Sequence, residues 1–191
     1  GQIVLKSKML VPAGSLAGVA RYGARSARGR PLAVADVTGD GRADLVVGAP
    51  LDEGRRGSVT VVEGPVGAGI FRLVDMAAAR LVGTVPEGRL GWAVTMGDLD
   101  ASDPQDLVVA APWAEAGGRE KTGVVYGLRG PLAMSGAVAV SDVADLVVWG
   151  PMVGAGNAGQ SMVLTDLDGD GVDDLALGYP DGAPVGRNGS G

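Results

Sequence analysis

Residues 36–50 read Asp36-Val-Thr-Gly-Asp-Gly-Arg-Ala-Asp44-Leu-Val-Val-Gly-Ala-Pro50, an acidic loop running straight into an apolar stretch. The run recurs. Asp98-Leu-Asp-Ala-Ser-Asp-Pro-Gln-Asp106 precedes Leu107-Val-Val-Ala-Ala-Pro112, and Asp166-Leu-Asp-Gly-Asp-Gly-Val-Asp-Asp174 precedes Leu175-Ala-Leu-Gly-Tyr-Pro180. The first aspartates stand 62 and then 68 residues apart. Gly29, Gly91 and Gly159 each lie seven residues before them, and Gly57 and Gly123 open a further apolar run after the proline. Three landmarks in step make a tandem repeat.

One repeat contains four short apolar runs, at Leu32–Ala35, Leu45–Gly48, Val59–Val62 and about Arg80–Gly83. Each is bounded by Gly, Pro or Asp, as strands are. The intervals between them are too short for crossover helices. A four-stranded unit repeated radially is a blade of a β-propeller, and one blade cannot bury its faces alone. The expected fold is therefore all-β, with about three four-stranded blades over residues 1–191. The repeats run approximately over 24–85, 86–153 and 154–191, with 154–191 and 1–23 as partial blades. Gly1–Leu5 resembles a third strand and 186–191 the turn before one. Propellers close with four to eight blades, so the expectation is an incomplete ring, completed by further blades of the same longer chain or by another subunit.

Composition agrees and removes several functions. The 191 residues include 34 Gly and 11 Pro, yet 46% are hydrophobic and only 4% aromatic. That profile suits many short strands rather than long helices or disorder. With no Cys there is no disulfide framework, thiolate nucleophile or Cys-zinc site. With no His there is no Ser-His-Asp triad and no imidazole ligand. A metal must be held by oxygen, which selects Ca²⁺ or Mg²⁺. No apolar run is long enough to span a bilayer.

The acidic loops supply that oxygen. Counting Asp36, Asp98 and Asp166 as position one, oxygen-bearing side chains fall at positions one, three, five and nine. They are Asp36, Thr38, Asp40 and Asp44; Asp98, Asp100, Ser102 and Asp106; and Asp166, Asp168, Asp170 and Asp174. In a tight loop alternate side chains converge on one point. Gly171 at position six permits the turn, and the position-seven carbonyls of Arg42, Pro104 and Val172 can face the same point. The logic is that of an EF-hand loop, but the Glu at position twelve and the flanking helices are missing. The second loop departs further, with Ser102 at position five and Asp103 where the turn glycine stands. Twelve of the 22 acids sit in these 27 residues, which carry −11 of charge and leave +5 on the remainder. The acidic balance is thus local and does not imply a basic partner. Flexible oxygen-only loops favour Ca²⁺ over the stricter Mg²⁺, and the expected count is two to three ions.

The pattern from Gly29 to Pro50, repeated from Gly159 to Pro180 and more loosely from Leu90 to Pro112, resembles the FG-GAP repeat of integrin α-subunit propellers. The family's Phe-Gly pair is replaced by Arg28-Gly29, Leu90-Gly91 and Ala158-Gly159. The resemblance implies a β-propeller with Ca²⁺ in the loops between the first and second strands of its blades, where the ions stiffen the blade edge without catalysing. The family's ring commonly has seven blades. Glycine- and alanine-rich, cysteine-free repeats point to a bacterial secreted protein.

The expected function is a non-catalytic, calcium-binding module for adhesion or for recognition of a protein or glycan ligand, outside the cell or on its surface. Modest oxygen sites fill at extracellular Ca²⁺ levels. Neither nucleic acid nor membrane insertion is expected. One alternative is the propeller portion of a carbohydrate-active or phospholipid-hydrolysing enzyme, which would need a carboxylate pair outside the loops, such as one including Glu53, Glu63 or Glu87. Another is a structural subunit that assembles into a ring. The remaining motifs read as structural. Asp142–Trp149 matches a fourth strand, and Trp92, Trp113 and Trp149 pack within blades. Arg55-Arg56 and Arg119–Lys121 are solvated loops. Gly14, Gly18 and Gly23 form no phosphate loop.

Overall fold

The computed structural model describes residues 2–5, 19–21, 32–67, 69–115, 118, 121–150 and 157–180. The expectations for Gly1, Gly14, Gly18, Gly23, Gly29, Arg119 and 186–191 lie outside these residues. In chain order the strands are β1 (Gln2–Leu5), β2 (Val19–Arg21), β3 (Leu32–Ala35), β4 (Asp44–Ala49), β5 (Ser58–Val62), β6 (Gly69–Arg72) and β7 (Ala79–Val82). They continue as β8 (Ala93–Gly97), β9 (Asp106–Ala111), β10 (Val124–Leu128), β11 (Gly136–Ala139), β12 (Leu146–Trp149), β13 (Ser161–Thr165) and β14 (Asp174–Gly178).

The first repeat folds as the antiparallel meander β3-β4-β5-β7, in register Leu32↔Val47, Val47↔Thr60 and Thr60↔Arg80. The second repeats it as β8-β9-β10-β12, with Ala93↔Ala110, Val124↔Ala111 and Val124↔Trp149. The third presents its first two strands, β13 and β14, paired from Ser161↔Gly178 to Thr165↔Asp174. These are propeller blades, and among the described residues they do not close a ring.

Every residue of β4, β5, β9 and β10 is buried. Inner strands covered on both faces have no solvent face, which is why their sequences are continuous apolar runs rather than alternations. One core joins the first two blades through Val46, Val59, Leu81, Val94, Leu107 and Tyr126. Another joins the second blade to the third, with Trp92, Val108 and Val125 against Met162, Leu164 and Leu177.

Backbone contact sets the blade spacing at one end. Gly57 (φ +83°) and Gly123 (φ +79°) open the third strands of their blades. A Cβ on Gly57 would stand 2.2 Å from the Leu90 carbonyl oxygen, and one on Gly123 would stand 2.4 Å from the Ala158 nitrogen. Leu90 and Ala158 occupy the same place in successive repeats, just before Gly91 and Gly159. Their N–H groups donate back to the Arg56 and Thr122 carbonyls at 2.9 and 3.3 Å.

Two strands were not foreseen. β6 and β11 arise in the connections between third and fourth strands, and each leaves its own blade. β6 pairs antiparallel with β1, which also pairs with β2. β11 pairs parallel with β7 of the first blade, Gly136↔Ala79 through Ala139↔Val82, and makes that sheet five-stranded. Gly136-Ala-Val-Ala139 is too small and too weakly apolar to announce a strand. Its pairing is decided by an edge some sixty residues back in the chain, which no local pattern reports.

The tryptophan expectation needs one correction. Trp92 is buried and meets Trp113 edge-on, ring centroids 4.5 Å apart, with the Arg89 guanidinium 4.3 Å above the Trp113 ring. Trp149 does not pack within the blade. It is 49% exposed, because it lies on β12, an outermost strand with no neighbour on its far side among the described residues. Within Asp142–Trp149 only Leu146–Trp149 forms the fourth strand, where its position in the repeat required one; Asp142 and Val143 close a helical turn, Val140–Val143, that precedes it. Arg55 and Arg56 are exposed, with Arg55 paired to Glu87 at 3.2 Å. Arg80 bonds Glu53 and Asp52 at 2.8 Å each. Burial works against the Arg80 charge, but the hydrogen bonds and charges of Glu53 and Asp52 outweigh it and hold its pKa above the ordinary guanidinium value.

Alanine at Gly57 or Gly123 combines a left-handed backbone with an impossible contact and should cost about 2 kcal/mol or more in urea unfolding. Burial pushes the Tyr126 phenol above its ordinary pKa. The fold thus favours the protonated ring. That stability is complete below the unfolded value of about 10 and is lost as pH rises through the folded value. Tyr126→Phe should flatten this alkaline slope in melts run above pH about 9.

Candidate metal centre

Each acidic loop joins the first strand of a blade to its second, and its backbone folds around its own carboxylates. In the first loop Asp36 accepts the Gly39 and Gly41 N–H groups, at 2.7 Å on Oδ1 and 2.8 Å on Oδ2. Asp166 does the same in the third loop with Gly169 and Gly171, at 2.7 and 3.0 Å. The four glycines have φ of +80° to +91°, so positions four and six both need a left-handed residue. In the second loop Asp98 Oδ1 instead accepts from Asp100 and Ser102, at 3.1 and 3.2 Å. Ala101 takes the left-handed place at position four (φ +61°), and Asp103-Pro104 is cis. The second loop therefore follows a different path from its first to its seventh position.

Position nine is the anchor. Asp44 and Asp106 are completely buried at the first residues of β4 and β9. Asp44 Oδ2 accepts from Val37 and Thr38 at 3.1 and 3.0 Å, and Oδ1 from Gly64 at 3.1 Å. Asp106 Oδ2 accepts from Leu99 at 2.7 Å, and Oδ1 from Gly130 at 2.9 Å. Asp174 accepts from Leu167 at 3.0 Å but is exposed. Asp44 and Asp106 thereby tie their acidic loops to the turn after the third strand. The role has a sequence signal outside the landmarks of the repeat, the dipeptides Gly64-Pro65 and Gly130-Pro131 at matching places in the first two repeats.

Positions one, three and nine converge. Carboxylate oxygens of Asp98, Asp100 and Asp106 lie within 4.8 Å of one another, and so do those of Asp166, Asp168 and Asp174. The corresponding residues of the first loop are Asp36, Thr38 and Asp44. There the Thr38 hydroxyl is buried with no hydrogen-bond partner, an oxygen left over in the slot that Asp100 and Asp168 fill. Position five turns another way. Asp40 and Asp170 accept the position-seven N–H of Arg42 and Val172 at 2.8 Å, and the Ser102 hydroxyl donates to Asp100. At position seven, Arg42 is exposed and Val172 half-buried. The Pro104 carbonyl faces Gly130, where a Cβ would approach it to 2.6 Å.

This donor set fits a hard divalent cation. Carboxylates about 4 Å apart repel by about 1 kcal/mol per pair in water, and a dication replaces that repulsion with attraction. The described residues bring one cation close to the second cluster, Arg129, whose Nε is 3.4 Å from Asp100 Oδ2. Successive loops are also bonded to one another. The position-eight N–H of Gln105 donates to the Asp36 carbonyl at 3.1 Å, and that of Asp173 to the Asp98 carbonyl at 2.6 Å. Asp173 adds its carboxylate, accepting the Asp98 N–H at 3.0 Å.

The strands' opposite ends carry residues 83–92, 112–115 and 121–123. Between them Val85, Pro86, Arg89, Trp113 and Lys121 line a cavity of about 420 Å³.

Comparison with known proteins matches the FG-GAP repeat model to residues 29–62 and 158–191. The second repeat lies between these stretches. The chain is 38% identical to human integrin alpha-IIb over 111 residues, 52% of this chain and 10% of that protein. It is 31% identical to the integrin alpha pat-2 of Caenorhabditis elegans over 163 residues, 78% of this chain and 13% of that protein. It is 36% identical to bovine phosphatidylinositol-glycan-specific phospholipase D over 108 residues, 56% of this chain and 13% of that protein. The chain thus spans about a tenth of the length of these relatives. It is built from FG-GAP repeats, folded as blades of an integrin alpha-like β-propeller.

Proposed function

We propose that the chain is a calcium-stabilised, non-catalytic propeller module that recognises a protein or glycan ligand outside the cell or at its surface. The observation that carries the reading is the convergence of positions one, three and nine at equivalent points of successive blades. The unpartnered Thr38 hydroxyl at the same point of the first loop extends it to a third site. The Ca²⁺ ligands are drawn from Asp36, Thr38, Asp40, Asp44 and the Arg42 carbonyl; from Asp98, Asp100, Ser102, Asp106 and the Pro104 carbonyl; and from Asp166, Asp168, Asp170, Asp174 and the Val172 carbonyl. Two to three ions are bound.

When bound, Ca²⁺ supplies charge neutralisation and rigidity rather than chemistry on a substrate. The chain's own residues place the cage. Asp44 and Asp106 fix the loops to their blades, and the backbone bonds of Gln105 and Asp173 hold the loops in a row. The opposite ends of the strands are then free to present loops to a ligand. The integrin alpha relatives support recognition outside the cell. No helix among the described residues is long and apolar enough to cross a membrane.

The phospholipase D relatives favour a second reading, in which these blades accompany a catalytic domain. Of the carboxylates outside the loops, Glu53 is held by Arg80 and Glu87 by Arg55. Neither is poised as half of an acid–base pair. Further blades, from the same polypeptide or another subunit, complete the ring.

Chelation tests the reading. A site that binds only the folded state adds about 2.7 kcal/mol when the ion stands a hundredfold above its Kd. Each kcal/mol moves the melting midpoint by about 2–4 °C at this size. EDTA should therefore lower the midpoint by several degrees and Ca²⁺ restore it; a midpoint indifferent to both would refute the sites. Asp168→Ala and Asp100→Ala should each remove one ion in calorimetric titration while leaving stability in EDTA nearly unchanged. Asp106→Ala should also destabilise the calcium-free protein, by about 1–3 kcal/mol for each N–H it strands.

A further inference from the structure

The cavity at the strand ends away from the acidic loops is lined by two cations that the fold does not use. Arg89 is half-buried, and its Nε is buried with no hydrogen-bond partner. Its guanidinium rests 4.3 Å above the Trp113 ring and, among the described residues, enters no ion pair. Lys121 lines the same cavity, exposed and likewise without an ion pair among the described residues. Of the two acids there, Glu87 is held by Arg55 at 3.2 Å, which leaves Glu115 alone against the two free cations.

The backbone makes these cations costly. Arg89 and Lys121 have φ of +57° and +51°, a left-handed region that a long side chain occupies under strain. Each stands two residues before a junction glycine, Gly91 or Gly123. Asn157 holds the place of Arg89 one repeat later, at φ +46°. Glycine or asparagine meets that backbone need more easily, so the turn does not account for a cation. Arg55 holds the place of Lys121 one repeat earlier and is used, binding Glu87; Arg89 and Lys121 have no such acid.

The lining narrows the ligand. A guanidinium stacked on an indole keeps the N–H groups of its edge, the fork that matches a carboxylate. An excess of one positive charge suits a carboxylate better than a doubly charged phosphate. Val85 and Pro86 offer an apolar wall to a short aliphatic stem. The polar side chains described along the wall are otherwise charged, with no amide or hydroxyl to fix a sugar. Trp113 is no free sugar platform, being covered by Arg89 and met by Trp92 at 4.5 Å.

We infer that this cavity binds a carboxylate of a peptide ligand. Arg89 hydrogen-bonds its oxygens, Lys121 adds charge, and Val85 and Pro86 pack on the stem. The inference rests on the recognition part of the proposed function and gives the blades a polarity, with cations held at one end and an acidic partner group at the other.

Three peptides test it on the 191-residue protein. Acetyl-Ala-Val-Glu-Val-Ala-amide carries a side-chain carboxylate, acetyl-Ala-Val-Gln-Val-Ala a terminal one, and acetyl-Ala-Val-Gln-Val-Ala-amide neither. At least one of the first two should move the Arg89 Nε–H resonance saturably, and the third should not. Lys121→Gln should weaken binding by about two- to fivefold, and Glu115→Gln should tighten it by about the same factor. Arg89→Asn should abolish binding, read on the Trp113 indole resonance, and keep the melting midpoint, because Asn157 fills the equivalent place. Should that variant not fold, the Lys121 and Glu115 variants decide. An unmoved resonance, or an equal response to the uncharged peptide, overturns the inference. Tighter binding of N-acetylneuraminic acid or sulfate than of either carboxylate peptide also overturns it, by assigning the cavity to an acidic glycan or to any anion. Titrations in Ca²⁺ and in EDTA separate the two readings. A calcium-sensitive midpoint without a peptide response refutes the cavity alone. A peptide response with a calcium-indifferent midpoint upholds the cavity and refutes the metal sites.

Discussion

A buried carboxylate that gathers backbone N–H donors from two loops organises each complete blade. Asp44 and Asp106 sit at zero exposure, where an unpaired charge would be intolerable. The backbone answers by bringing N–H groups from the acidic loop and from the glycine after the third strand onto the two oxygens. Loop, second strand and third-strand exit are thereby fixed as one body. In the second blade this anchor is also a member of the acidic cluster, Asp106 offering a carboxylate oxygen within 4.8 Å of those of Asp98 and Asp100.

That double role bears on what a cation does in such a blade. The cage is not assembled from floppy side chains. Its position-one and position-nine members are already oriented by hydrogen bonds from their own loop, so a cation held there would have little left to order beyond the position-three side chain. Binding that needs little ordering wastes little affinity. Arg129 beside Asp100 partly balances the second cluster, which sets this loop apart from the third, where among the described residues Asp168 accepts the backbone N–H of Asp170.

The meander, the four strands of the first blade and the acidic loops were legible because they are local. Glycine turns, short apolar runs and aspartates two residues apart leave their marks within a dozen positions. What was missed is non-local. β11 is four small residues whose partner is another blade's edge. Gly57 and Gly123 were visible as landmarks but not as points where two backbones touch. Trp149 looked like core because its strand is apolar, and among the described residues no strand lies beside β12 to cover it. In the second loop, the departures at Ser102 and Asp103 were seen, but not that Ala101 and a cis proline would reroute the chain and still bring Asp98, Asp100 and Asp106 together.

The glycine contacts also have a geometric consequence. At Gly57 and Gly123 consecutive sheets meet backbone to backbone, whereas farther along they are held apart by Leu, Val and Trp side chains. Each sheet is therefore a wedge, thin at one margin and thick at the other. The angle by which one wedge turns from the next follows from that difference in thickness, so residue volumes at the blade junctions govern how sharply successive sheets turn.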